Sequence, residues 1–256
     1  MTVRTDHHED VLVITIDRPE VRNAVDRPTA DALEQHFRDF DANPDLAVAV
    51  LTGAGGTFCA GADLHAIHSG EGQLRVQENE HGPMGPSRLL LSKPVIAAVE
   101  GHAIAGGLEL AAWCDLRVAA EDAVFGVFCR RWGVPLIDGG NVRLPRLIGL
   151  SHALDMILTG RAVGAEEAQR MGLANRVVPP GTALDAALEL ARQLAVFPQS
   201  CLRADRLTAL TTIDLPLHDA LMAEHRRGVA SMDDGAMEAG VAEFAGGAGR
   251  HGTFDG

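Results

Sequence analysis

The stretch Glu100-Gly101-His102-Ala103-Ile104-Ala105-Gly106-Gly107-Leu108-Glu109-Leu110 decides the fold of this chain. It follows a short apolar run, Val95 to Val99, that reads as a strand, and it leads directly into a helix-like run. Paired glycines at such a turn let another group approach the main chain closely. The start of the helix leaves N–H groups unpaired and adds a partial positive charge. Glu109, three residues after Gly106, projects over the same end of the helix. An amide able to hold an oxyanion beside a candidate acid/base suits chemistry at a carbonyl.

On either side of this turn the chain alternates strand-like and helix-like runs. Val11 to Ile16, Leu46 to Leu51 and Leu116 to Ala119 read as further strands, and Pro28 to Phe40 as a helix. Thr52 to Gly56 reads as a loop, and residues 69–87 as a mobile loop with some helix. Beyond residue 146 helices dominate: Leu147 to Leu158, Ala165 to Met171, Thr182 to Leu194, Gln199 to Leu210, and Leu217 to Phe244 with a break near Ser231-Met232-Asp233-Asp234. A short strand, Arg176-Val177-Val178, interrupts them, and Gly246 to Gly252 forms a glycine-rich tail. The expected organisation is an α/β core over residues 1–195 and a helical region over 196–256.

Composition narrows the function. The 256 residues are 46% hydrophobic, enough for a sizeable core, and no apolar run approaches a membrane span. No apolar signal-peptide core follows Met1, so a cytoplasmic location is the default expectation. A net charge of −13 argues against nucleic acid or an anionic membrane as partner. With Lys93 the only lysine, Arg and His must supply nearly all positive contacts to an anionic ligand. Cys59, Cys114, Cys129 and Cys201 form no CxxC pair, which speaks against a disulfide framework or a zinc site. No GxSxG elbow and no strand followed by GxGxxG occurs, so serine-hydrolase and Rossmann readings fail.

Several segments, in order, resemble the crotonase (enoyl-CoA hydratase/isomerase) superfamily. Asp17-Arg18-Pro19-Glu20-Val21-Arg22-Asn23-Ala24-Val25 is similar to its first CoA-contacting turn. Leu51-Thr52-Gly53 with Phe58-Cys59-Ala60-Gly61-Ala62-Asp63-Leu64 is similar to its second signature. Lys93 to Gly101 running into Gly106-Gly107-Leu108-Glu109-Leu110 is similar to its third, and Leu158 to Arg161 with Ala174 to Val178 follows in order. The resemblance implies a crotonase-like spiral of ββα units with a C-terminal helical trimerisation region. It implies homotrimers, commonly stacked into hexamers, and an acyl-CoA thioester as ligand, with no cofactor besides the CoA of the substrate. By position, the N–H groups of Ala62 and Gly106 would form the oxyanion hole and Glu109 would be catalytic. Arg22, Ala24, Ala60, Asp63, Leu64 and His65 would lie along the CoA and acyl path. His65 stands where a Lys or Arg often faces the CoA phosphates. His65 and His68 are read as surface histidines on a helix rather than as a metal pair, and no metal is expected.

The family's hydratases carry a second glutamate, and the matching position here is Cys129 in Phe125-Gly126-Val127-Phe128-Cys129. A thiol of ordinary pKa, about 8.5, makes no anionic bridge to water at neutral pH. Cys129 is therefore either a small filler on the substrate path or a thiol acidified by Arg130 and Arg131. Asp138 is a second acid/base candidate, an N-cap for the following helix, or both. Phe244 matches the aromatic that closes the acyl pocket, and Arg250 is a stand-in for the family's C-terminal lysine. Hydration of a trans-2-enoyl-CoA is the leading expectation. The alternatives are double-bond isomerisation and an acyl-CoA-binding trimer with little catalysis.

Overall fold

The chain opens on an antiparallel hairpin, β1 (Val3–His8) and β2 (Val11–Ile16), turned at Glu9 with φ 57°. This is a computed structural model, which describes residues 2–78 and 80–249. α1 (Arg27–Ala42) follows, with the Asp26 carboxylate accepting the Thr29 N–H as N-cap. Leu33, Phe37 and Phe40 form its buried stripe. β3 (Val48–Gly53) runs two residues beyond the expected strand end, into the first two residues of the segment expected to be a loop. α2 (Leu64–Ser69) is a short helix, and β4 (Val95–Val99) lies beside β3.

β5 (His102–Ile104) and α3 (Gly106–Trp113) come next, then β6 (Leu116–Ala120), β7 (Val124–Gly126) and α4 (Gly140–Thr159). β8 (Ala162–Gly164), α5 (Ala165–Arg170), β9 (Arg176–Val178) and α6 (Ala183–Ala195) follow. The larger sheet has the order β1-β2-β3-β4-β6-β9 and is parallel apart from β1; the smaller has the order β5-β7-β8. β2 and β4 are buried along their whole length, as befits parallel strands covered on both faces. Their sequences are accordingly runs of Val, Ile, Leu and Ala, with Thr15 the one polar residue, and show no alternation.

Successive units share one plan: a strand in the large sheet, a short extended segment in the small one, then a helix. Cys59 pairs with Ala103, and Ala103 with Phe125, all parallel. Ala62, Gly106 and Phe128 each stand three residues beyond these paired positions. They occupy the same station in three consecutive turns of the spiral, so residues far apart in sequence converge on one place.

The chain divides into two compact units at Leu194/Ala195. The second contains α7 (Gln199–Thr211), α8 (Leu217–Ala230) and α9 (Ala236–Gly246). Arg250 lies outside the described residues. No helix among the described residues is long and apolar enough to cross a membrane.

Two expectations need correction. α4 begins at Gly140, seven residues before the expected start, and is broken at Gly149 (φ 75°, ψ 157°) rather than at Pro145. Among the described residues of 70–85 none is helical, and Pro86–Arg88 forms a 3-10 turn. The lone lysine, Lys93, is buried and donates to the carbonyls of Phe40 and Asn43, closing the end of α1. Its charge is spent inside the fold.

Candidate active site

α3 is buried on every side, and its first residue is Gly106. The residue before it, Ala105, adopts φ 52°, ψ −124°, a conformation that costs an L side chain on the order of 1–3 kcal/mol. That turn leaves the Gly106 N–H at the open end of the helix. Neither Gly106 nor Ala62 donates its N–H to a protein group among the described residues. The two chain segments touch: a Cβ placed on Gly61 would stand 2.9 Å from the Gly106 nitrogen. Gly107 explains the closeness, because the Cys59 carbonyl oxygen occupies the space its Cβ would need.

Both Ala62 and Gly106 line a cavity of about 650 Å³, together with Glu109, Cys129 and Asp138. The remaining wall is largely apolar, from Leu64, Ile67, Leu74, Met84, Ile104 and Ile137 among others. Such a cavity suits an acyl chain with a polar head at one end.

Glu109 is 2% exposed. Its Oε1 accepts the N–H groups of Asp138 and Gly140, each at 2.8 Å. Gly140 is the first residue of α4, so the carboxyl meets the positive end of that helix. Burial pushes the Glu109 pKa up to about 7; the Gly140 N–H pulls it back, and the nearby Asp138 charge pushes it higher. A carboxyl poised near neutrality can take or give a proton.

Asp138 is 4% exposed. It does not cap α4: the N-cap is Gly139, in a left-handed conformation without a side-chain bond. Its Oδ1 accepts instead from the Met84 N–H at 2.9 Å and from the Ser87 hydroxyl. Burial raises its pKa, and the Ser87 and Met84 donors work in the opposite direction. The Arg143 guanidinium brackets the pair, donating to the carbonyls of Asp138 (2.8 Å) and Ser87 (2.7 Å). Cys129 is 7% exposed, and its thiol is not acidified. Burial and the Glu109 charge raise its pKa, which outweighs Arg130.

The other sequence candidates divide. Ala60 and Leu64 line the cavity with Ala62 and Cys129, whereas Arg22, Ala24, Asp63 and His65 do not. Asp63 is the N-cap of α2, accepting from the His65 and Ala66 N–H groups and pairing with Arg18 at 3.1 Å. Ala24 is buried, and Arg22 and His65 are exposed. Phe244 is 71% exposed on α9, in the second unit. Sequence reasoning passed over Met84, Ser87, Gly140 and Arg143, whose places beside Glu109 and Asp138 arise only from contacts across the fold.

The turn carrying Arg22 and Ala24 hangs on Asn23, which has φ 57°. Its Oδ1 accepts the Arg18 N–H, and its Nδ2 donates to the carbonyls of Ala54 and Thr57. Asn23→Ala strands three half-buried polar groups, and a stability loss of about 1–3 kcal/mol is expected in urea denaturation. A loss under about 0.5 kcal/mol would show that water replaces the amide.

Two amides without a protein acceptor among the described residues, at the same station of consecutive ββα turns and lining one cavity with a buried carboxyl, form a site of the crotonase fold suited to chemistry at a carbonyl. The family model for enoyl-CoA hydratase/isomerase matches residues 6–246, and the chain belongs to that family. It is 39% identical over 222 residues to the enoyl-CoA hydratase EchA19 of Mycobacterium tuberculosis, covering 85% of this chain and 84% of that one. It is 40% identical over 215 residues to the carnitinyl-CoA dehydratase of Escherichia coli K12, covering 82% and 80%. A crystal structure of an enoyl-CoA hydratase from Mycobacterium tuberculosis superposes with a TM-score of 0.90 at 35% identity, covering 95% of each chain.

Proposed function

We propose that this protein reversibly adds water across the double bond of a 2-enoyl-CoA. The observation that carries the reading is the shared cavity of the Ala62 and Gly106 amides with Glu109 and Asp138. The thioester oxygen sits between the two amides, which stabilise the enolate charge that develops when the β-carbon is attacked. Water adds its oxygen to the β-carbon, Glu109 delivers a proton to the α-carbon, and Asp138 receives the proton the water gives up. With its pKa raised to about 7, the Glu109 carboxyl can give the proton in hydration and take it back in dehydration. Relatives named for hydrating and for dehydrating CoA thioesters support the same reading. In this reading Arg22 and His65 meet the CoA phosphates, and the working enzyme is a trimer or a pair of trimers.

Crotonyl-CoA turnover, followed by loss of the conjugated enoyl absorbance, tests the proposal. A protein that shifts the double bond of a 3-enoyl-CoA but adds no water would overturn it. Cys129 favours that second reading, because an un-ionised thiol lines the cavity where hydratases of this family carry glutamate. Cys129→Glu is expected to leave the hydration rate within about threefold, because Asp138 already supplies the second acid/base group. A gain of about a hundredfold or more, the scale of one acid/base group, would show that Asp138 does not complete the pair.

A further inference from the structure

The segment 82–88 is the wall opposite α3, and it reaches two parts of the site at once. Met84 lines the cavity, and its thioether lies against Gly106: a Cβ there would meet Met84 Sδ at 2.8 Å. Three residues on, Ser87 is 1% exposed and turns its hydroxyl to Asp138 Oδ1. The Met84 N–H occupies the same oxygen at 2.9 Å. No donor reaches Asp138 Oδ2 among the described residues, and Asp138 lines the cavity. Two donors on one oxygen therefore hold the carboxyl by its back and leave the other oxygen for the ligand.

We propose that Ser87 is a positioning residue, which aims Asp138 into the cavity and holds it in the form that accepts a proton. The inference rests on the role given to Asp138 above. A hydroxyl donating to a carboxylate favours its charged form, and a rigid acceptor loses little to reorganisation during reaction. The charged groups around Asp138 are Glu109 from α3, Arg143 from α4 and Arg88 from the 86–88 turn. Glu109 opposes its ionisation and the two arginines favour it. Ser87 is the neutral donor that can be removed without altering any of these charges.

The test is a double-mutant cycle on the full chain, using Ser87→Ala and Asp138→Asn with crotonyl-CoA. Ser87→Ala alone is expected to lower kcat by roughly tenfold with KM kept within about twofold, the scale of one hydrogen bond to a charged group. The pH limb belonging to Asp138 should move upward, since a contact favouring the anion is lost. In the Asp138→Asn background the same change should cost less than about twofold, because no carboxylate remains to be aimed. Melting curves of all four proteins identify any variant that fails to fold. An equal loss from Ser87→Ala in both backgrounds, or a loss with an unmoved pH limb, would overturn the proposal and leave only an anchored loop. Full activity of Asp138→Asn by itself would instead remove Asp138 from the proposed reaction.

Discussion

Glu109→Gln is expected to lower turnover of a 2-enoyl-CoA by about a hundredfold or more, with thioester affinity held within about twofold. The amide oxygen of Gln can still accept the N–H groups of Asp138 and Gly140, so the cavity wall keeps its shape. Only the proton is lost. The same substitution carries a stability signature. In the unfolded chain this carboxyl titrates near its ordinary 4.5, and in the folded protein burial holds it up at about 7. A raised acid contributes its full stability below the lower value, and that contribution is lost as pH rises through the upper one. Gln cannot ionise, so the variant should gain on the wild type between those limits, by a few kcal/mol at most. Urea midpoints at about pH 5 and about pH 8 read this directly. Parallel pH dependence of the two proteins would show that Glu109 is not held near neutrality.

A single methyl group in place of hydrogen, Gly107→Ala, is expected to reduce kcat/KM by at least about a hundredfold, the worth of one oxyanion donor. The new Cβ would stand 2.1 Å from the Cys59 carbonyl oxygen and 2.8 Å from its carbon. Both sides of that clash are backbone, so either α3 or the 59–62 segment must retreat. Gly106 rides on one and Ala62 on the other. Their amides would separate while every side chain of the site stayed the same. Overpacking of this kind also costs about 1–3 kcal/mol, visible as a lower melting temperature. Gly106→Ala is the internal comparison: the nearest atoms to its Cβ belong to the flexible Met84 side chain rather than to backbone, and its loss should be the smaller. Unimpaired turnover in Gly107→Ala would show that the two amides do not act together on one oxygen.

Local signals predict the parts of this fold that carry their own pattern. β2 and β4 are buried apolar runs, α1 has an aromatic stripe, and the interruption after α8 falls at Ser231 to Gly235. β1 escapes because Val-Arg-Thr-Asp-His-His has too few apolar residues to alternate; it forms by pairing along β2 at the sheet edge. β5, β7 and β8 are three residues each, too short for any periodicity to register. They exist because successive turns of the spiral stack on one another. Asp138 is legible as an acidic residue before a helix, and that context reads equally as a cap. Its actual partners, Met84 and Ser87, lie 54 and 51 residues away.

By itself, the sequence determined which residues could do chemistry. The Gly106-Gly107-Leu108-Glu109 turn and the Ala60-Gly61-Ala62 segment each carry their amide by local backbone geometry, which short-range residue types control. Tertiary structure alone decided what those groups became. Stacked ββα turns brought Ala62 and Gly106 together, burial lifted Glu109 toward neutrality and kept Cys129 a neutral thiol, and the 82–88 segment turned Asp138 from a cap into a cavity wall. Proximity and desolvation are properties of the packed chain, and neither is written in any one stretch of it.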